Sequence, residues 1–84
     1  MSYQVNIVPS AEKEMSRLSG VVHNRISQRI LSLKDNPRPR GVRKLSGREE
    51  CRLRVGDYRI LYVIDDRNNT VTIIAVGHRR EVYG

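Results

Sequence analysis

The sequence contains no tryptophan and no phenylalanine, so four tyrosines are its only aromatic residues. Any core must therefore be built mainly from aliphatic side chains. The hydrophobic share of 38% is nevertheless sufficient for a folded chain, and the periodic patterns described below argue against a disordered one. A chain of 84 residues has room for one core, which predicts a single domain spanning residues 1–84.

Cysteine is nearly absent as well. Cys51 stands alone, which excludes an internal disulfide and a cysteine-based metal cluster and is typical of a reducing cytosol. No apolar run approaches the ~18 residues of a membrane span, and residues 1–7 lack the pattern of a signal peptide. No P-loop, dinucleotide-binding or zinc-ligand spacing occurs. We therefore expect a cytoplasmic protein that has no membrane contact, no metal and no small-molecule cofactor.

Acidic residues are scarce relative to basic ones. Nine Asp and Glu oppose sixteen Lys and Arg, which gives a net charge of +7 and a pI near 10.3. Thirteen of the sixteen basic residues are arginine, whose planar guanidinium binds phosphate through two parallel hydrogen bonds. A general need for solubility gives no reason to prefer arginine over lysine. The composition therefore favours contact with a polyanion.

The apolar spacing changes along the chain. Alternation over residues 3–8 predicts a strand, and two stripes at helical spacing follow it. The first helix is predicted to begin at Ser10 and to end at Gly20, and the second ends at Asn36 because Pro37 disfavours helical geometry before it. The stripes consist of Ala11, Met15 and Leu18, then Val22, Ile26, Ile30 and Leu33.

Three further strands are predicted over residues 50–55, 58–64 and 70–76, after a basic surface loop over residues 37–48. Gly56 and Asp57 form a two-residue hairpin turn between the first two of these strands. The order β-α-α-β-β-β predicts an α+β fold, in which an N-terminal αα-hairpin packs on one face of a small antiparallel sheet.

Strand alternation gathers arginines on the other face. Arg52 and Arg54 point away from the helix side, and the hairpin turn places Arg59 near Arg54. The last strand is expected to bring His78, Arg79 and Tyr83 to the end of the same sheet. If the polyanion is RNA, the basic loop is expected to contribute further contacts through Arg43, Lys44 and Arg48, and the tail through Arg80. Guanidiniums converging on one phosphate could stabilise the charge that develops during phosphodiester cleavage.

Each of these residues also has a simpler interpretation. A single arginine on a strand is usually a solvated charge, and Tyr83 could merely cover the edge of the sheet. His78 could act as a general acid or base, but it could equally pack at a strand end. Clustered arginines would favour the phenolate of Tyr83. The carboxylates are scattered over turns and helices, so a metal-free route in which the RNA 2′-hydroxyl attacks is preferred.

The segment 52–62, the tail 76–83 and the preceding Leu45-Ser46-Gly47 together resemble the RelE branch of the RelE/ParE toxin superfamily. The resemblance implies a type II toxin–antitoxin toxin that enters the ribosomal A site and cleaves mRNA. It assigns Arg52, Arg54, Arg59 and Arg79 to the scissile region and Tyr83 to proton transfer. Lysines stand at positions 52 and 54 in the best-studied member; arginine cannot replace them as a base, so that duty would fall to Tyr83 or His78.

The resemblance also implies partners and leaves alternatives open. An acidic, partly disordered antitoxin is expected to cover the basic surface, and the ribosome and mRNA are the expected targets. The ParE branch shares the fold but poisons DNA gyrase, which is one alternative. A non-catalytic RNA-binding module is the other.

Overall fold

The computed structural model describes residues 2–44 and 50–78. Within them the chain forms two helices, α1 (Pro9–Ser16) and α2 (Gly20–Ser32), and five strands. The strands are β1 (Gln4–Ile7), β2 (Arg43–Lys44), β3 (Glu50–Val55), β4 (Tyr58–Asp65) and β5 (Thr70–His78). The α+β class and the helical hairpin predicted from the sequence are confirmed.

The five strands form one mixed sheet in the order β1-β5-β4-β3-β2. β2 to β5 pair in antiparallel fashion, as predicted, but β1 lies parallel to β5, with Val5 beside Val71. The expectation of a purely antiparallel sheet was therefore wrong at this edge. Parallel strands need a long crossover connection, and the helical hairpin provides the first part of that connection. Alternation within β1 could not reveal a partner that lies more than sixty residues away.

The helix boundaries also differ from those predicted. α1 begins at Pro9 after Val8, without a side-chain cap from Ser10, because proline is tolerated in the first helical turn. Gly20 does not end the first helix but begins the second, after an extended Ser19. Both apolar stripes are confirmed, since five of their seven residues are buried and Leu18 and Val22 pack against the core. The buried stripe residues are Ala11, Met15, Ile26, Ile30 and Leu33.

The core lies between the two helices and one face of the sheet. The strand residues that fill it include Leu53, Ile60, Val71 and Ile73, each almost wholly inaccessible to solvent. Tyr62 is the largest side chain buried among them. Its hydroxyl donates a 2.7 Å hydrogen bond to the carbonyl oxygen of Pro37, and burial raises the pKa of this phenol. Part of the 37–48 segment is thereby attached to the core.

That segment is not entirely a loop. Arg43 and Lys44 pair with Arg52 and Cys51 and add the short edge strand β2 to the sheet. Composition hid this strand because the segment is rich in proline, glycine and charge, which are typical of loops. Within the described residues, neither helix has the length and apolar character that a membrane crossing requires.

A β-bulge interrupts the pairing of β4 with β5. Leu61 lies opposite Ala75 and Tyr62 lies opposite Ile73, so Ile74 has no partner in the register. The extra residue reverses the faces of β5 from this point onward. Val71 and Ile73 are buried in the core before the bulge, whereas Val76 occupies the core position after it.

Candidate nucleic-acid interface

Two cross-strand pairs of arginines occupy the sheet face opposite the helices. Arg43 of β2 lies beside Arg52 of β3, and Arg54 of β3 lies beside Arg59 of β4. Directly opposite residues share a face, and so do residues two apart in one strand. All four side chains, together with Gly41, line one cavity of about 290 Å³. We call these residues the arginine cavity.

Arg59 is the innermost of the four, with only 5% of its surface exposed. Its Nη1 donates to the carbonyl oxygens of Tyr58, at 3.0 Å, and of Gly56, at 3.5 Å. Arg54 is exposed on the strand, and its Nε donates to the same Gly56 carbonyl at 3.3 Å. The turn backbone therefore orients two guanidiniums from adjacent strands.

The turn itself explains this arrangement. Gly56 has a φ of +60°, whereas the φ of Asp57 is not positive. A positive φ at the first turn residue alone is typical of a type II′ hairpin turn. The turn keeps Val55 and Tyr58 directly paired. Arg54 and Arg59, one step further from the turn, must then face each other.

The electrostatics of the cavity favour an anion. Like charges directly opposite each other on a sheet repel, and no carboxylate is among the described residues that line the cavity. Guanidiniums donate hydrogen bonds and accept none. The cavity can therefore hold a phosphate and stabilise negative charge on it, but its described side chains cannot remove a proton. Within residues 2–44 and 50–78, no group of three His, Cys, Asp or Glu side chains is arranged to hold a metal ion.

His78 does not join this face. It pairs with Tyr58 on the helix side, with ring centroids 5.6 Å apart and planes at 80°. A separate cavity of about 400 Å³ lies there, lined among others by Glu14 and Arg17. His78 lies at the end of the sheet, as expected, but the bulge at Ile74 turns it to the helix side, so the structure does not bring it to the arginine cavity.

The other expected contacts divide into two groups. Lys44 pairs with Cys51 and lines a cavity with Arg38 and Ile64, on the core side of the sheet edge, so the structure does not bring it to the arginine cavity. Arg48, Arg79, Arg80 and Tyr83 lie outside the described residues. Arg43 is the one expected RNA contact from the loop that the structure places with Arg52, Arg54 and Arg59.

Two features of the cavity were not predicted from the sequence. Gly41 lines it with φ of +92°, a conformation that favours glycine. The Gly56 carbonyl acts as an acceptor for two arginines, whereas the sequence indicated only a turn. The run Pro-Arg-Pro-Arg-Gly was the available signal for the first, and nothing in the sequence indicated the second.

The fold and this cavity define a small α+β domain with an arginine-lined surface suited to a polyanion. The family model for "ParE toxin of type II toxin-antitoxin system, parDE" matches residues 5–83. The mRNA interferase toxin RelE of Escherichia coli K12 is 31% identical over 88 aligned positions, which cover 99% of this chain and 92% of that protein. The chain therefore belongs to the ParE/RelE family of type II toxin–antitoxin toxins.

Solved structures agree with this assignment. The toxin–antitoxin complex RelBE2 of Mycobacterium tuberculosis contains a chain with a TM-score of 0.84 and 28% identity, covering 94% of this chain and 100% of that one. The archaeal RelE–RelB complex of Pyrococcus horikoshii matches with the same TM-score and identity, covering 94% and 97%. The first neighbour comes from a toxin–antitoxin complex and the second from a complex of RelE with RelB.

Proposed function

We propose that this toxin cleaves mRNA on the ribosome and thereby inhibits translation, with residues 1–84 acting as one catalytic domain. The observation that supports the proposal most directly is the arginine cavity, in which four guanidiniums converge and Arg59 is largely shielded from water. Charge-assisted hydrogen bonds of this kind are strongest where water is excluded. The name of the Escherichia coli relative, an mRNA interferase, points to the same substrate.

The proposed reaction is a metal-independent transesterification. The 2′-hydroxyl of the RNA attacks the adjacent phosphorus and forms a cyclic 2′,3′-phosphate as the bond to the 5′-oxygen breaks. The attacking hydroxyl gives its proton to a base, and the leaving oxygen takes one from an acid. Arg52, Arg54 and Arg59 hold the phosphate and stabilise the extra negative charge of the transition state.

The proton transfers need a group other than these arginines, because a guanidinium keeps its proton at any physiological pH. His78 is turned away from the cavity, so we assign the transfer to Tyr83. Arg79 is assigned to the phosphate, as the resemblance of the tail 76–83 to the RelE branch implies. Arg43, Arg48 and Arg80 are proposed as contacts to the RNA backbone.

The proposed partners are the ribosome, mRNA and an acidic antitoxin, and the proposed location is the cytoplasm. The antitoxin would neutralise the positive charge of the toxin by covering the arginine cavity. Solved complexes of toxins with this fold and their antitoxins support such a partner.

The test maps the positions of mRNA cuts and determines the chemical groups at the ends of the RNA fragments. Induction in cells should produce codon-phased cuts within open reading frames, with cyclic 2′,3′-phosphate and 5′-hydroxyl ends. Tyr83→Phe and Arg79→Ala should abolish the cuts, and Arg67→Gln, in the distant β4–β5 turn, should retain them. Cleavage that persists in Tyr83→Phe would remove the assigned proton-transfer role.

The family model carries the ParE name, which keeps gyrase poisoning as the second candidate function. It predicts gyrase-linked DNA breaks while mRNA remains intact. That result would overturn the mRNA proposal. A third outcome would instead favour a non-catalytic RNA-binding module. In that case Tyr83→Phe inhibits growth as strongly as wild type, and neither mRNA cleavage nor DNA breaks occur.

A further inference from the structure

A second basic cleft lies beside the arginine cavity, on the helix side of the β3–β4 turn. Its volume is about 310 Å³. Helix α2 supplies Arg25, Gln28 and Arg29, and the end of β3 and the turn supply Arg54, Val55 and Gly56. We call these residues the α2 cleft.

Arg54 connects the two sites, because its side chain lines both the arginine cavity and the α2 cleft. Its Nε is bound to the Gly56 carbonyl, which fixes the position of the guanidinium at the boundary. A polymer held in the first site can therefore continue into the second without leaving the protein surface.

The α2 cleft has an unbalanced positive charge. Arg25 and Arg29 are both exposed and are separated by one helical turn, where like charges repel. Within the described ranges, no carboxylate forms an ion pair with either of them, and none lines the cleft. The field around this part of α2 thus attracts an anion.

The composition of the cleft fits RNA better than it fits an acidic protein. Val55 is its one apolar side chain among the described residues. Protein partners usually anchor through buried aromatic or aliphatic groups, whereas nucleic-acid interfaces are more polar and more positively charged. Phosphodiesters also repeat along a strand, as the arginines do from one site to the next.

We propose that the α2 cleft binds a backbone phosphate of the same RNA strand that occupies the arginine cavity. This inference rests on the proposed function, because it requires an RNA strand in that cavity. The guanidiniums of Arg25 and Arg29 bind the phosphate oxygens, and the Gln28 amide donates alongside them. Arg25, Gln28 and Arg29 therefore extend the site for the strand without taking part in the reaction.

The experiment measures the affinity of the full chain for 2′-O-methyl RNA, which cannot be cleaved through its 2′-oxygen. Oligonucleotides of about 4 and about 16 nucleotides, the range of typical single-strand sites, are compared over a salt series. The variant Arg25→Gln/Arg29→Gln is compared with Lys34→Gln/Arg67→Gln, which removes the same charge away from both sites. Thermal unfolding establishes that both variants are folded.

We expect the α2 variant to lose at least tenfold in affinity for the long oligonucleotide and little for the short one. The slope of its salt dependence should decrease by about 0.7, the contribution of one lost phosphate contact on a single strand. The inference would be overturned if the α2 variant lost equal affinity for both lengths, or if the control variant lost as much affinity. Either result would show that only the net charge of the protein matters.

Failure of the two proposals can be distinguished. If the wild-type chain cleaves mRNA but the α2 variant binds the long oligonucleotide as tightly as wild type, only the α2 cleft is disproved. If the wild-type chain produces no mRNA cuts in cells, the proposed function fails and the inference fails with it, because no RNA strand then occupies the arginine cavity. If the α2 variant loses affinity only for a protein antitoxin, the cleft is a protein-binding site and the RNA inference is wrong.

Discussion

Arg54 and Arg59 face each other directly across the β3–β4 hairpin, and both donate hydrogen bonds to the carbonyl oxygen of Gly56. Two like charges at such a position repel. The partial negative charge of the shared carbonyl acceptor reduces that repulsion. A phosphate bound between the two guanidiniums would attract both of them, and this relationship motivates the predictions that follow.

Arg59 should contribute most of the electrostatic catalysis among the described residues. We expect Arg59→Gln to lower the single-turnover cleavage rate on programmed ribosomes by about 10²–10³, the usual cost of losing one donor to a transition-state charge. Arg59→Lys should recover only part of the rate, because lysine lacks the planar fork. Arg67→Gln should match wild type; an equal loss there would indicate an effect of overall charge.

His78 is expected to position the end of β5 and not to transfer a proton. His78→Phe keeps an aromatic ring against Tyr58 and should retain both the cleavage rate and its pH profile. His78→Ala should lose the edge-to-face contact, worth about 0.5–1.5 kcal/mol, and lower stability and activity together. The pH–rate profiles of the two variants decide the question. If the pH–rate profile of His78→Phe lost its acidic or its basic limb, His78 would have to act as a general acid or base.

Gly56 is predicted to be required for its backbone conformation. A Cβ at Gly56 or at Gly20 would meet no atom within 4 Å, but only Gly56 has positive φ, at +60°. Gly56→Ala should therefore destabilise the fold by about 1–3 kcal/mol. It should also weaken RNA binding, because a rearranged turn would move the carbonyl at position 56 away from the two arginines. Gly20→Ala should change stability by less than about 1 kcal/mol. Urea unfolding of both variants provides the comparison, and equal effects would contradict the explanation.

The surface cluster at the other end of the sheet predicts a pH effect. Two hydrogen bonds hold the pKa of Asp66 below its ordinary value of 3.8. The bond from Arg38 has the larger effect, and the bond from the Tyr3 hydroxyl the smaller. Because the folded-state pKa is the lower one, the stabilisation is present above the unfolded-state pKa and is lost as the pH falls through the folded-state value. Both partners of the ion pair are more than half exposed, at 54% and 58%, so salt should weaken it.

The pKa of Asp66 can be followed by NMR titration of its carboxyl carbon. Arg38→Gln should raise it toward the ordinary value. The pKa of Asp65 is lowered mainly by hydrogen bonds from Asn68 and should be unchanged in the same variant. An unchanged Asp66 would show that the Arg38 contact does not persist in solution.

Much of the fold follows from local patterns in the sequence. The apolar stripes of both helices, the Gly56-Asp57 turn and the alternation of Arg52 and Arg54 with Cys51 and Leu53 all follow from residue spacing. Each of these features depends on residues that are close together in the sequence, so each can be predicted without the tertiary structure. The pairing of Arg54 with Arg59 followed as well, because a two-residue turn fixes the register.

The sequence by itself therefore determined the α+β class, the hairpin and an arginine-bearing sheet face. Only the tertiary structure decided that β1 lies parallel to β5, that Arg43 joins the face through β2, and that the bulge at Ile74 turns His78 away from it. The physical reason is the same in each case. Strand partners and bulges depend on contacts between residues far apart in the chain, and the side-chain alternation of a single strand carries no information about them.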